Sequence, residues 1–214
     1  MTHVYDSGNM TVSAGRDILG GSFYEGSGHA SIVAGRAVAA TTEQLSWTGL
    51  TQTKSAVLLD NLPLLAVDLG RIQLSAGGAV SIAGVINPAA LYTYAIPVGN
   101  LTTNINMDTY GPNSFVGLQS LTGDLTIAIP PTASSLTSSV YPASFAAVAL
   151  GGDIKTKGLT NVTGAIVAGG LVLSGSEGGN LQLLAEGSID LTFGASQGNT
   201  FVQPFVSALS LIHI

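Results

Sequence analysis

The sequence predicts an all-β fold of the solenoid kind, a right-handed parallel β-helix with extruded loops, and three observations predict it. A short unit recurs along the chain, running apolar, variable, small or apolar, a Gly-containing turn, then apolar. Residues on either side of each turn alternate in character with period two, as short half-buried strands do. Charged residues make up only 8% of the 214, against about 25% in ordinary soluble domains. Such a chain must hide its apolar side chains in a regular way and cover the rest with Ser, Thr, Asn and backbone.

The unit reads Val12-Ser13-Ala14-Gly15-Arg16-Asp17-Ile18, then Ile32-Val33-Ala34-Gly35-Arg36-Ala37-Val38, then Leu74-Ser75-Ala76-Gly77-Gly78-Ala79-Val80. Later copies are Val148-Ala149-Leu150-Gly151-Gly152-Asp153-Ile154 and Leu183-Leu184-Ala185-Glu186-Gly187-Ser188-Ile189, with a degenerate copy at Leu121-Thr122-Gly123-Asp124-Leu125. The first two start 20 residues apart and the third 42 residues later, close to two further periods. Two short strands joined by a tight corner, stacking at about 4.8 Å on the next copy, describe one coil of a solenoid. The corner glycines are expected to supply positive φ. Val12, Ile18, Val38, Leu74, Val80, Val148, Ile154, Leu183 and Ile189 are expected to point inwards. A β-sandwich would favour Asn-Gly or Asp-Gly hairpin turns, and neither dipeptide occurs. Gly recurs too often for a capped helix.

Residues 1–208 read as one β-helix segment with loop insertions near 87–114 and 130–142. The first carries Pro88, Pro97 and Pro112 with Tyr92, Tyr94 and Tyr110; the second is rich in Pro and Ser and leads to Tyr141. The start, Met1-Thr2-His3-Val4-Tyr5-Asp6, lacks the basic and apolar regions of a signal peptide. The expectation is a cytosolic protein or an internal piece of a longer one. Every apolar run is broken before the ~18 residues a spanning helix needs. The six basic residues are scattered within a net charge of −6, which argues against nucleic acid. There is no cysteine, hence no disulfide and no Cys-based zinc site.

Ser13-Ala14-Gly15-Arg16-Asp17-Ile18 and Ala149-Leu150-Gly151-Gly152-Asp153-Ile154 resemble the repeats of filamentous-haemagglutinin proteins of the two-partner secretion type. The stretches from Val140-Tyr141-Pro142-Ala143-Ser144-Phe145 to Ile154 and Gly179-Asn180-Leu181-Gln182-Leu183-Leu184-Ala185-Glu186-Gly187-Ser188-Ile189 are similar to a region late in such exoproteins. The resemblance implies export through an outer-membrane transporter of the two-partner type and a place at the surface of a Gram-negative bacterium. The fibre would contact a host or neighbouring-cell surface, protein or glycan, and the segment would stack on neighbouring coils of the full-length protein. Leu209-Ser210-Leu211-Ile212-His213-Ile214 resembles the translation of a sequencing-adapter end, so 209–214 reads as an artefact.

Asp17, Asp124 and Asp153 hold related places in the unit and on a solenoid would share one ridge. Carbohydrate-cleaving β-helices use acidic clusters there, whereas a corner Asp ordinarily accepts backbone hydrogen bonds. The second reading is preferred, because Ala37 and Ala79 stand at the intervening places. His3, His29 and His213 are too dispersed for a metal site or a Ser-His-Asp set, and His29 is expected to lie exposed in the Gly-rich loop 20–28. Trp47 reads as a core or groove filler, and Tyr92 and Tyr94 as cover for apolar core. The expectation is a structural and adhesive segment, not an enzyme, with no cofactor, metal or catalytic residue. The alternatives are a polysaccharide lyase or hydrolase on the same fold, or an autotransporter passenger.

Overall fold

A computed structural model describes residues 7–41, 62–88, 110–129, 140–160, 171–174, 176 and 178–191, together with strand residues 91–92, 96–98, 101–103, 106–107, 166–167 and 206–208. No helix occurs among the described residues. Trp47, Tyr94, His3, His213, residues 131–139 and the tail 209–214 lie outside them.

The chain lays down β1 (Met10–Ala14), β2 (Ile18–Leu19) and β3 (Ser22–Glu25), then β4 (His29–Ala34), β5 (Val38–Ala39) and β6 (Leu64–Val67), then β7 (Arg71–Ala76), β8 (Val80–Ile82) and β9 (Gly84–Ile86). Within 87–114 come β10 (Leu91–Tyr92), β11 (Ile96–Val98), β12 (Leu101–Thr103) and β13 (Asn106–Met107). The order resumes with β14 (Phe115–Ser120), β15 (Leu125–Ile129) and β16 (Val140–Tyr141). Next are β17 (Ser144–Ala149), β18 (Ile154–Thr160), the short β19 (Ile166–Val167) and β20 (Leu171–Leu173). Last are β21 (Asn180–Ala185), β22 (Ile189–Asp190) and β23 (Val206–Ala208).

The first strand of each pass joins one parallel sheet, β1-β4-β7-β14-β17-β21. The second strands form another, β2-β5-β8-β15-β18-β22, with β19 antiparallel on β18. The third strands form two parallel sheets, β3-β6-β9 and β16-β20-β23. Parallel sheets fed in turn by successive passes are consistent with a β-solenoid. The segment 87–114 carries strand pairing of its own, since β10 pairs antiparallel with β13 and β11 with β12.

In-register pairing stacks like on like. In the first sheet one inward row runs Val12, Ile32, Leu74, Leu118, Ala147, Leu183, and the next runs Ala14, Ala34, Ala76, Ser120, Ala149, Ala185. In the second sheet Ile18, Val38, Val80, Leu125, Ile154 and Ile189 are stacked. Each fully buried aliphatic side chain contributes about 1.5–3 kcal/mol, so these rows supply the core. Ile18, Val38, Leu74, Val80 and Ile154 are buried as predicted. Val12 and Leu183 are partly buried against the core, on the two outermost strands of their sheet.

Several expectations need correction. Val148 faces outwards, and Phe145, Ala147 and Ala149 carry the inward pattern of β17. The reason is corner length. Three residues link the first two sheets in most passes, as in Gly15-Arg16-Asp17, but four do so at Leu121-Thr122-Gly123-Asp124 and Leu150-Gly151-Gly152-Asp153. Counting back from Ile154 therefore lands one residue off, on the opposite face. The extra residue leaves Leu121 and Leu150 exposed. Inside the first of these corners the buried Ser120, at a place otherwise held by Ala, takes the Gly123 N–H at 3.1 Å. Ile189 lies in the predicted stack but is 45% exposed, because β22 is the outermost strand of its sheet.

The 42-residue interval is one pass and not two, since β7 hydrogen-bonds directly to β4. The glycine expectation also changes. Positive φ occurs at Gly20, Gly21 and Gly84, which lead into the third strands, and not at the corner glycines of the recurring unit. Those are needed for close approach: a Cβ on Gly35 would fall on the Gly15 carbonyl, and one on Gly77 on the Gly35 carbonyl. Finally, His29 is not in a loop. It begins β4, half-buried, and its N–H donates to Asn9 Oδ1 at 3.0 Å.

Tyr141, read from sequence as part of a loop, is fully buried and meets Phe145 edge to face, with ring centroids 5.2 Å apart. Burial pushes its hydroxyl pKa up, and the neighbouring Val85 backbone only partly offsets this. Tyr110 packs against the core, and its hydroxyl donates to the Val140 carbonyl at 2.9 Å.

Candidate functional site

Three places gather polar side chains, and the ridge of aspartates comes first because the sequence singled it out. The register places Asp17, Ala37, Ala79, Asp124, Asp153 and Ser188 immediately before the stacked Ile18, Val38, Val80, Leu125, Ile154 and Ile189. The carboxylates are thus on one ridge, interrupted by the two alanines. Each reaches along the stack to the next pass. Asp17 Oδ1 accepts the Ala37 N–H at 3.1 Å, Asp124 Oδ1 the Asp153 N–H at 3.0 Å, and Asp153 Oδ1 the Ser188 N–H at 2.8 Å. The side chain therefore continues the hydrogen-bond ladder through a corner where the strands are interrupted.

The second oxygen of each carboxylate meets a cation. Arg36 pairs with Asp17, while Lys155 Nζ sits 2.7 Å from Asp124 Oδ2 and 2.9 Å from Asp153 Oδ2. The accepted backbone N–H first, and Lys155 second, hold the Asp124 and Asp153 carboxyls below the usual range. For Asp17 the Arg36 guanidinium is the main cause. Both acids together raise the Lys155 pKa. A general acid at neutral pH needs a raised carboxyl pKa, and these are all lowered.

The sign of the pH dependence follows. A carboxyl whose folded pKa lies below its unfolded value of 3.8 adds stability fully present above about pH 3.8 and lost as pH falls through the lower folded value. The melting temperature of the wild type should drop between about pH 4 and pH 2 by more than that of an Asp124→Asn/Asp153→Asn variant. Equal drops in thermal melts followed by circular dichroism would show that the ridge carboxylates contribute nothing to folding.

A second cluster lies at the corner that leads into the first sheet, and sequence reasoning missed it. Glu25, at the end of β3, is buried; its Oε1 accepts the Ser7 hydroxyl and the Gly28 N–H, both at 2.8 Å. One pass on, Asp68 is also buried, and its carbonyl accepts the Ser114 hydroxyl at 2.6 Å. The signal was an acidic residue closely followed by Gly, in Glu25-Gly26 and Asp68-Leu69-Gly70. Gly28 and Gly70 stack here, and a Cβ on Gly70 would lie 2.7 Å from the Gly28 carbonyl oxygen. The cluster fastens successive corners to one another. Among the described residues no group of three or more His, Asp or Glu side chains is arranged to hold a metal ion.

The third place is a groove of about 440 Å³ on the outward face of the first sheet. The rows His29, Arg71, Phe115, Ser144, Asn180 and Ser31, Gln73, Gly117, Ala146, Gln182 run across that face. Residues from Arg71 to Gln182 in these rows, Gly117 apart, wall the groove, with the Pro112-Asn113 turn on one flank and Gly178 on another. Comparison with protein-family models, with curated proteins and with solved structures finds no match to this chain.

Proposed function

We propose that this chain is a stretch of right-handed parallel β-helix from a secreted bacterial surface fibre of the filamentous-haemagglutinin type, with a structural and adhesive role and no catalysis of its own. The observation that carries the reading is the in-register parallel stack β1-β4-β7-β14-β17-β21, in which equivalent residues of the recurring unit lie on one another. A rod built this way presents a long, repetitive, sparsely charged surface, suited to contact and not to turnover. The carboxylates that a glycan-cleaving β-helix would need are engaged with backbone N–H groups and with Arg36 or Lys155. Export through a two-partner outer-membrane transporter and contact with a host or neighbouring cell complete the reading, on the strength of the sequence resemblance.

The full chain, coupled to beads, should retain cells in a saturable manner that soluble chain competes away. It should leave pectin-like and other acidic polysaccharides at their starting length. Shortening of such a polysaccharide, lost in Asp124→Ala or Asp153→Ala variants, would establish the lyase or hydrolase alternative in its place.

A further inference from the structure

We propose that the groove on the outer face of the first sheet binds a saccharide bearing a carboxylate, so that the adhesive reading above, on which this rests, acquires a ligand class. Three features point to it. The first is shape and backbone chemistry. The groove lies on the face of the sheet across β7, β14, β17 and β21, the first three paired on both sides and β21 outermost, so its floor offers side chains and not a strand edge. An extended peptide adding to a sheet needs such an edge, which disfavours a peptide occupant. Its volume of about 440 Å³ falls in the range of roughly 300–1,000 Å³ typical of sites for small ligands.

The second is the kind of side chain. Gln73, Asn113, Asn180 and Gln182 line the groove together with Phe115, and planar amides can both donate to and accept from adjacent hydroxyls. Phe115 leans over Gly117, where a Cβ would come within 2.9 Å of its ring. Glycine at 117 thus lets the aromatic ring settle along the sheet as a wall of the groove. An apolar ring among amides matches a sugar, which has apolar C–H patches and a polar rim.

The third is charge. Among the described residues that line the groove Arg71 is the one cation and none is acidic, although acids outnumber bases two to one in the whole sequence. Its Nε–H donates to the Asn113 carbonyl at 3.2 Å, which anchors the guanidinium at the rim. Its terminal N–H groups are donors in the fork geometry that suits a carboxylate.

Isothermal titration of the full chain with an oligogalacturonate, and with an uncharged galactan fragment of equal length, tests the proposal. The acidic oligosaccharide should bind more tightly, and Arg71→Gln should lower its affinity about tenfold or more while leaving the neutral one unchanged. Phe115→Ala should weaken both. Arg71→Gln changes an exposed residue, and its melting temperature should match the wild type, which separates lost binding from lost fold. Absence of binding by the folded wild type, or equal binding by wild type and both variants, would overturn the proposal. Bead adhesion that oligogalacturonate does not compete would sink the groove assignment while leaving the adhesive reading intact. Oligosaccharide binding in solution without bead adhesion would do the reverse.

Discussion

Ile154→Asp should abolish folding of the chain, whereas Ile189→Asp, one place along the same stack, should be tolerated. Ile154 is wholly buried between Leu125 and Ile189. Introducing a carboxylate there removes a side chain worth about 1.5–3 kcal/mol of burial. It also places a charge, without a described partner, where solvation is lost, at a further cost of several kcal/mol. Total stabilities of domains are about 5–15 kcal/mol, so the sum takes most or all of the margin. Ile189 is already 45% exposed, and an Asp there can keep its water. Far-ultraviolet circular dichroism and urea titration of the two variants check this. Similar losses in both would mean that the second sheet does not line a common core.

The alternation of apolar and polar residues made the strands legible, because a parallel sheet in register repeats its inward positions at every pass. Ile18, Val38, Leu74, Val80 and Ile154 follow from that alone. Val148 escaped because a corner one residue longer shifts the phase, and a single-residue shift exchanges the two faces of a strand. The buried Ser120 and the added corner residue marked the change in the preceding pass, but only against the known register is its meaning visible. The 42-residue interval misled for a related reason: pass lengths vary when segments are inserted, so a sum of periods and one enlarged pass look alike in sequence.

The candidate sites divide along the same line. The aspartate ridge was legible because its members precede the same inward apolar position in each unit. Glu25 and Asp68 were not, because the third strands, β3 and β6, lie outside the recurring unit from which the fold was read. The groove was invisible for a further reason. Arg71, Phe115, Ser144 and Asn180 come from four passes separated by unequal intervals, and only pairing across the sheet brings them into one row.

Gly35→Ala should destabilise the chain by about 1–3 kcal/mol, the usual cost of forcing added bulk into a filled site, while Gly15→Ala should be neutral or slightly stabilising. The two glycines occupy the same corner in successive passes, in the same motif Ala-Gly-Arg. Neither has positive φ, so alanine meets no backbone objection at either. They differ only in what lies against them. A Cβ on Gly35 would meet the Gly15 carbonyl, backbone that moves only if the stacked corner opens, whereas one on Gly15 would meet nothing within 4 Å. At Gly15 the remaining effect is the reduced freedom of the unfolded chain, worth up to about 0.4–1 kcal/mol in favour of alanine. Urea midpoints with an unchanged slope would give both values directly. Equal effects would show that these glycines are needed for chain flexibility. A loss confined to Gly35 would show that they are needed because one corner rests on the backbone of the one before it, which is the physical condition for stacking passes at all.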